Sequence, residues 1–442
     1  MRCWAGGHLT PHLRQAQTGA KRSKMAHSNE AQMARKSWQL AGPLAAMGPL
    51  VLIACGSNST TQGTGGATTT SSMGGATTTS TSDWTTTTTS TSSWTTTTST
   101  STGVVGVCTP GTVQCTANVP QTCDSAGQWQ ATGDLQTDPK NCGSCGHDCL
   151  GGACAAGTCL PRVLAASQNS PMWLALSGTM LAWVDDVGGL VMKLDLAGGA
   201  PSIVAAGQAT PGRIAADSTN LYWSTFAGGT IMKAPVAGGA PTTVASGQNQ
   251  PLGITVDATR LYWVTFGGNT LMSAALAGGA PTVLASGQPG AWGVAVNASS
   301  ILWSVYGGGA VQKMPLAGGA ATGVGDGPYP QAVVLDATQA YWTSSDGAGA
   351  GGVVRAPLSG GLQTVIAANS YWAWGIAVDA THVYWTEKHT VMRAPVGGGS
   401  PEVVVPGVKS GKGIVVDAHA IYWADGGTAP GQGDGAIMVV AK

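Results

Sequence analysis

Gly253-Ile254-Thr255-Val256-Asp257-Ala258-Thr259-Arg260-Leu261-Tyr262-Trp263 leads into Gly267-Gly268-Asn269-Thr270-Leu271-Met272-Ser273-Ala274. That stretch leads in turn into Gly278-Gly279-Ala280-Pro281-Thr282-Val283-Leu284-Ala285-Ser286-Gly287. This passage decides the fold because the chain repeats it. Trp263 has counterparts at Trp183, Trp223, Trp303, Trp342, Trp385 and Trp423, and successive tryptophans lie 40, 40, 40, 39, 43 and 38 residues apart. Short β-branched and aromatic runs, split by turn residues and recurring at such a period, predict a β-propeller.

Each repeat carries four strand signals. The first ends at Ser177, Asp217, Asp257, Asn297, Asp336, Asp379 or Asp417, and the second is the Leu-Tyr-Trp run. The third is the Ile-Met-Lys run, and a Gly-Gly pair such as Gly278-Gly279 separates it from the fourth. Paired glycines accept the positive φ angles of a tight hairpin. The seventh repeat stops at its third strand, Ala436-Ile437-Met438-Val439-Val440. Val163-Leu164-Ala165-Ala166-Ser167-Gln168 has the fourth-strand pattern with no repeat ahead of it. One chain end is therefore expected to complete the blade begun by the other. The expectation is an all-β chain with a seven-bladed propeller over 162–442, closed by an N-terminal strand and monomeric.

The Leu221-Tyr222-Trp223, Leu261-Tyr262-Trp263, Val383-Tyr384-Trp385 and Ile421-Tyr422-Trp423-Ala424-Asp425 runs, with Gly253–Asp257 and Gly375–Asp379 upstream, resemble the YWTD-type repeats of low-density-lipoprotein-receptor class B propellers. NHL repeats are more loosely similar. The family's usual ring has one blade fewer. Its fourth-letter Asp is met at Asp185 and Asp425, whereas Ser224, Val264, Ser304, Thr343 and Thr386 stand in the other repeats. The resemblance implies the fold and no particular partner.

Ahead of the repeats the chain changes character three times. Residues 1–54 read as a leader and lipoprotein signal peptide: Arg35 and Lys36, then an apolar run ending in Leu52-Ile53-Ala54-Cys55, which resembles a bacterial lipobox with Cys55 as the lipidated residue. The run is too short and too rich in Gly and Pro for a membrane-spanning helix. Residues 55–107 are nearly all Thr, Ser and Gly, too poor in apolar side chains to offset chain entropy, and read as a disordered tether. Residues 108–160 hold eight of the ten cysteines: Cys108, Cys115, Cys123, Cys142, Cys145, Cys149, Cys154 and Cys159. An even set in an exported, core-poor segment reads as a disulfide framework rather than a zinc site, with about 105 pairings open. Asn141-Cys142-Gly143-Ser144-Cys145-Gly146-His147-Asp148-Cys149 resembles a repeat of exported myxobacterial and plant stigma-specific cysteine-rich proteins.

The chain has 442 residues, formal net charge zero and 9% charged residues. Without a basic excess it does not suit nucleic acid. The recurrent Asp residues read as turn caps rather than a calcium ring, since an active site occurs once and these occur in nearly every repeat. The tryptophans read as inter-blade packing. Lys193, Lys233, Lys313, Arg355 and Arg393 read as solvated edges with their stems on apolar surface. His382, His389 and His419 read as loop residues, and no nucleophile–base pair, phosphate loop, metal set or cofactor motif stands out.

The residues just ahead of the first strand vary between repeats. Trp173, Arg213, Leu252, Trp292, Gln331, Trp374 and Lys412 stand there, with Tyr371 and Trp372 nearby. Placed at the mouth of the central channel, they either plug it or bind a ligand. From them, Trp173, Arg213, Trp292, Tyr371, Trp372, Trp374 and Lys412 form the candidate ligand face, for a protein or polysaccharide. The expected whole is a bacterial envelope lipoprotein, membrane-held through its lipid, at the outer membrane or cell surface, that binds or scaffolds without catalysis. A metal-dependent hydrolase or lyase at the axis and a purely structural envelope protein are the rivals.

Overall fold

A computed structural model describes residues 108–344, 351–370 and 372–442. The leader, Cys55, the Ser/Thr tract and Tyr371 lie outside the described residues.

The propeller is built from seven four-stranded antiparallel sheets. Blade 3 shows the pattern: Pro251–Val256 innermost, then Arg260–Thr265, Thr270–Ala275 and Thr282–Ala285. The inner strands of the other blades are Pro171–Ser177 (blade 1), Pro211–Ala216 (blade 2), Ala291–Val296 (blade 4), Pro330–Leu335 (blade 5), Ile376–Val378 (blade 6) and Gly411–Val416 (blade 7). Each inner strand lies against the next, and blade 7 against blade 1, so the ring is closed.

Closure comes from the first and last strands of the repeat region. Gly435–Ala441 pairs antiparallel with Arg162–Gln168, with Ile437 opposite Ala165 and Met438 opposite Val163. The N-terminal strand is thus the fourth strand of blade 7, and it covers an edge that would otherwise offer free N–H and C=O groups to other chains.

The core explains the Leu-Tyr-Trp run. Leu261, Tyr262 and Trp263 are all buried, although Tyr262 points to the opposite face from its two neighbours. A blade is sandwiched between two others, so neither face meets water. Trp263 packs against Tyr222, Ile231 and Ala245 of blade 2. Tyr262 packs against Val294, Ile301 and Trp303 of blade 4. Each fully buried large side chain of this kind contributes roughly 1.5–3 kcal/mol.

The repeated carboxylates make two sets of bonds. Oδ1 of Asp257 accepts the Thr259 and Arg260 backbone N–H groups at 2.7 Å, and Oδ2 accepts the Tyr262 hydroxyl at 2.8 Å. The turn cap was legible; the buried tyrosine partner was not. Burial alone would raise the Asp257 pKa, but the hydrogen bonds hold it below the usual carboxylate value.

Three of the third-strand cations, Lys193, Lys313 and Arg355, are not solvated edges. Lys193 donates to the Val236 carbonyl of the next blade at 2.5 Å. Lys313 reaches the Leu358 carbonyl and Arg355 the Val396 carbonyl in the same way. They tie one blade to the Gly-Gly turn of the next, a partner distant in sequence and so invisible in a single repeat. Blade 7 has no such turn, and Arg393 of blade 6 pairs instead with Glu402 of its own blade.

The cysteine segment adds a three-stranded sheet (Val113–Thr116, Val119–Cys123, Trp129–Ala131) and a two-stranded one (Cys154–Ala155, Thr158–Cys159). Of the open pairings the structure selects Cys108–Cys123, Cys115–Cys145, Cys142–Cys154 and Cys149–Cys159. The sulfurs of Cys142, Cys149 and Cys159 lie close together, but all three are in disulfides. Among the described residues no helix is long and apolar enough to cross a membrane.

Candidate functional site at the channel mouth

The two ends of the channel differ. At the end where inner strands finish, an opening of about 350 Å³ is lined by Leu176, Val296, Leu335, Val378, Val416 and similar residues, with Thr255 the one polar side chain. It offers little chemistry. The other end, the mouth, is built from the starts of the inner strands and the loops after the second strands.

A bulge aims the mouth residues. Pro211 sits opposite Thr225, and Ile214 opposite Trp223, so the register slips between them. Blades 1, 3, 4, 5 and 7 slip at the same place. Bulges re-aim side chains. The register also separates residues that look equivalent in sequence. Leu252, Trp292, Gln331, Trp374 and Lys412 stand two positions before the residue paired with the blade tryptophan, whereas Trp173 and Arg213 stand one before it. That later position is glycine at Gly253, Gly293, Gly375 and Gly413 for a steric reason: a Cβ on Gly253 would lie 2.5 Å from the Trp292 carbonyl oxygen.

In four blades the residue after the tryptophan carries a hydroxyl, Ser224, Ser304, Thr343 or Thr386, that ties one inner strand to the next. Ser224 donates to the Leu252 carbonyl at 2.7 Å and accepts the Arg213 N–H at 3.1 Å. Ser304 does the same between Gln331 and Gly293, and Thr343 between Trp374 and Ala332. The family's fourth letter is one residue further on: Thr225, Thr265, Val305, Ser344 and Glu387 stand there beside Asp185 and Asp425. The comparison with Ser224 and its counterparts is therefore corrected by one position. Asp185 accepts the Asn169 N–H at 2.6 Å, and Asp425 those of Lys409 and Ser410 at 3.1 and 2.9 Å, so both hold the loops that carry the mouth.

Trp173 packs against the blade 1–2 cluster and also against the blade 5–6 cluster. It spans the channel, which gives the plugging reading its due for this residue. The Arg213 guanidinium lies 3.5 Å above the Trp173 ring. Arg213 Nε and Nη2 are buried without a hydrogen-bond partner. Burial pushes its pKa down to about 9. Trp292 Nε1 and Gln331 Oε1 are likewise buried and unpartnered.

An aromatic arc runs along the other side. Phe226 and Phe266 lie 6.3 Å apart, Phe266 meets Trp292 edge-on at 5.8 Å, Trp292 stacks on Tyr306 at 5.2 Å, and Tyr306 meets Tyr329 at 4.9 Å. Sequence reasoning found only Trp292 of these. Phe226, Phe266 and Tyr306 each stand three residues after a blade tryptophan, where blade 1 has Asp186 and blade 6 has Lys388. The signal was present: this column varies while its surroundings repeat, and it holds both phenylalanines of the chain. Tyr329 takes φ +43°, a left-handed conformation costly for a bulky residue, and the residue is 46% exposed.

Charge gathers where blades 6, 7 and 1 meet. Lys412 Nζ lies 4.8 Å from the Trp374 ring. Burial pushes Lys412 down to about 8, against the pull of Asp425 and Asp186. Burial, with repulsion from Asp185, pushes Asp186 up to about 6, and Lys412 opposes that. Trp372 is half-buried with φ +59° just ahead of this edge. The mouth thus pairs an aromatic arc with a charged quarter.

No protein-family model matches this sequence, and no curated protein matches it. The fold has solved counterparts. Virginiamycin B lyase from Staphylococcus aureus superposes with TM-score 0.54 at 14% identity, over 64% of this chain and 99% of that one. A streptogramin B lyase gives TM-score 0.53 at 10% identity, over 64% and 98%. Kuenenia stuttgartiensis hydrazine synthase gives 0.51 at 13% identity, over 61% and 95%. At these identities the likeness is one of fold.

Proposed function

We propose that this chain is an exported envelope lipoprotein whose propeller binds a ligand at the channel mouth without catalysis. The aromatic arc from Phe226 to Tyr329 carries the reading. Rings gathered at one end of the channel, flanked by unpartnered donors and acceptors, suit a sugar or peptide face. Cys55 would hold the lipid, and the Ser/Thr tract would space the propeller from the membrane.

The test is a calorimetric titration of the full chain with a panel of polysaccharides and peptides. Trp292→Ala together with Trp374→Ala is expected to weaken the strongest ligand at least about tenfold. Undiminished binding by the double variant rejects the mouth. A lipid label that survives Cys55→Ser rejects the anchor.

A second reading has one observation in its favour. The virginiamycin B and streptogramin B lyases share the fold, and Asp186 and Lys412 are perturbed towards the range of acid–base groups. Turnover of a bound ligand, abolished by Asp186→Asn, would favour an enzyme.

A further inference from the structure

We propose that the Nε–Nη2 edge of Arg213 is a carboxylate subsite, and that the mouth takes an acidic sugar, a uronate unit of a polysaccharide. This rests on the mouth as the binding site and names its ligand.

The guanidinium offers two parallel N–H groups on that edge, matched to the two oxygens of a carboxylate. Both nitrogens are buried and unpaired. Buried donors in folded proteins are nearly always satisfied, so this fork asks for a partner. The carboxylates of the mouth are engaged elsewhere, and none acts on Arg213. Asp185 accepts Asn169 and Gly188 N–H groups, Asp425 accepts those of Lys409, Ser410 and Gly427, and Asp186 is opposed to Lys412. The Trp173 ring at 3.5 Å holds the guanidinium plane, so the fork is preorganised.

Sugar is favoured over peptide by the other unpaired atoms. Trp292 Nε1 is a donor and Gln331 Oε1 an acceptor, and both stand at the same register on adjacent inner strands. Sugar hydroxyls, each both donor and acceptor, match such a mixed pair. The arc that begins at Phe226, on the blade of Arg213, supplies a face for the ring.

The experiment titrates the full chain with oligogalacturonate, with its methyl ester and with polyglutamate. The ester keeps every ring and removes the charge. The acid is expected to bind at least roughly tenfold more tightly than the ester, and Arg213→Lys, which keeps the charge but not the fork, is expected to abolish that difference. Trp292→Phe is expected to weaken acid and ester alike and leave their ratio. It serves if the Arg213 variant does not fold, because the wild-type ratio then decides. Equal affinity for acid and ester overturns the subsite while the mouth stands. Binding of polyglutamate alone overturns the sugar. Binding of none of the three, while another ligand binds at the mouth, overturns the inference; binding of no ligand at all overturns the mouth as well.

Discussion

The indole N–H of Trp223 donates to Oε1 of Gln208 at 2.8 Å, across the seam between blades 1 and 2. Gln208 is fixed for this role, because its own NH2 donates to the Ala206 carbonyl at 3.0 Å. The same bond joins Trp183 to Gln168, Trp263 to Gln248 and Trp303 to Gln288. Trp385 turns to Glu387 instead, and the Trp342 and Trp423 N–H groups have no partner. Gln208→Leu would leave a buried donor unsatisfied and is expected to cost about 1–3 kcal/mol in urea denaturation. A cost indistinguishable from zero would mean that water reaches the seam.

The Asp257–Tyr262 bond predicts an asymmetry. Tyr262→Phe removes a donor from a carboxylate that keeps its backbone N–H partners, and should cost about 0.5–1.5 kcal/mol. Asp257→Ala strips the turn and orphans a buried hydroxyl, and should cost more, about 2–4 kcal/mol. Blade 4 has Asn297 and Leu302 at these places, and Asn297 donates to the Asp336 carbonyl at 2.8 Å. A purely turn-based role would make Asp257→Ala and Asn297→Ala equal in chevron or equilibrium measurements.

Most of the ring was legible in one sequence, and the reason is redundancy. The Leu-Tyr-Trp run, the Asp turn and the Gly-Gly turn recur, so each could be read several times over, and the stranded Val163–Gln168 segment pointed to its partner. The mouth was legible only in part. Trp173 and Arg213 look equivalent to Trp292 and Lys412 until the bulge register sets them one residue apart. The Lys193-type ties were missed because their acceptors are carbonyls some forty residues away, and any residue can supply a carbonyl.

Deleting the closing strand makes a direct test of the ring. Without Arg162–Gln168, the edge of Gly435–Ala441 is bare. The expected outcome is a shift to larger species than the intact protein by light scattering, with most β-structure kept. Ile437→Ala, at a fully buried site opposite Ala165, should cost about 2–5 kcal/mol and speed opening of the same seam. An unchanged size and unchanged stability after the deletion would show that the closure carries no weight.

Reduction should separate the two folded parts. All eight cysteines of the disulfide set lie before the first propeller strand, in bonds with short loops between partners. Each short loop contributes roughly 2–4 kcal/mol to the segment that contains it. A reductant is expected to unfold the cysteine segment and expose its thiols while the far-ultraviolet signal of the propeller melts within about 5 °C of its oxidised midpoint. A larger fall would mean that the segment props blades 6 and 7, against which Cys142, Cys149 and Leu150 pack.

Asp186 and Lys412 should show opposite pH signatures. The folded pKa of Asp186, about 6, is above the ordinary 3.8, so the native state holds its proton more tightly than the unfolded chain. Its charge therefore costs stability above about pH 6, and the cost fades as pH falls towards 3.8. Asp186→Asn should then stabilise by about 1–3 kcal/mol at pH 7 and by progressively less towards pH 4. Lys412 has a folded pKa of about 8, below the ordinary 10.5, so the unfolded chain binds the proton more tightly. Its cost is full below about pH 8 and fades as pH rises towards 10.5. Lys412→Met should stabilise at pH 7 and lose that gain towards pH 10, the reverse slope. The two gains should not add, because each charge partly neutralises the other. Parallel slopes for the two variants in urea titrations across pH would mean that the groups are solvated. The charged quarter of the mouth would then hold no stored strain for a ligand to relieve.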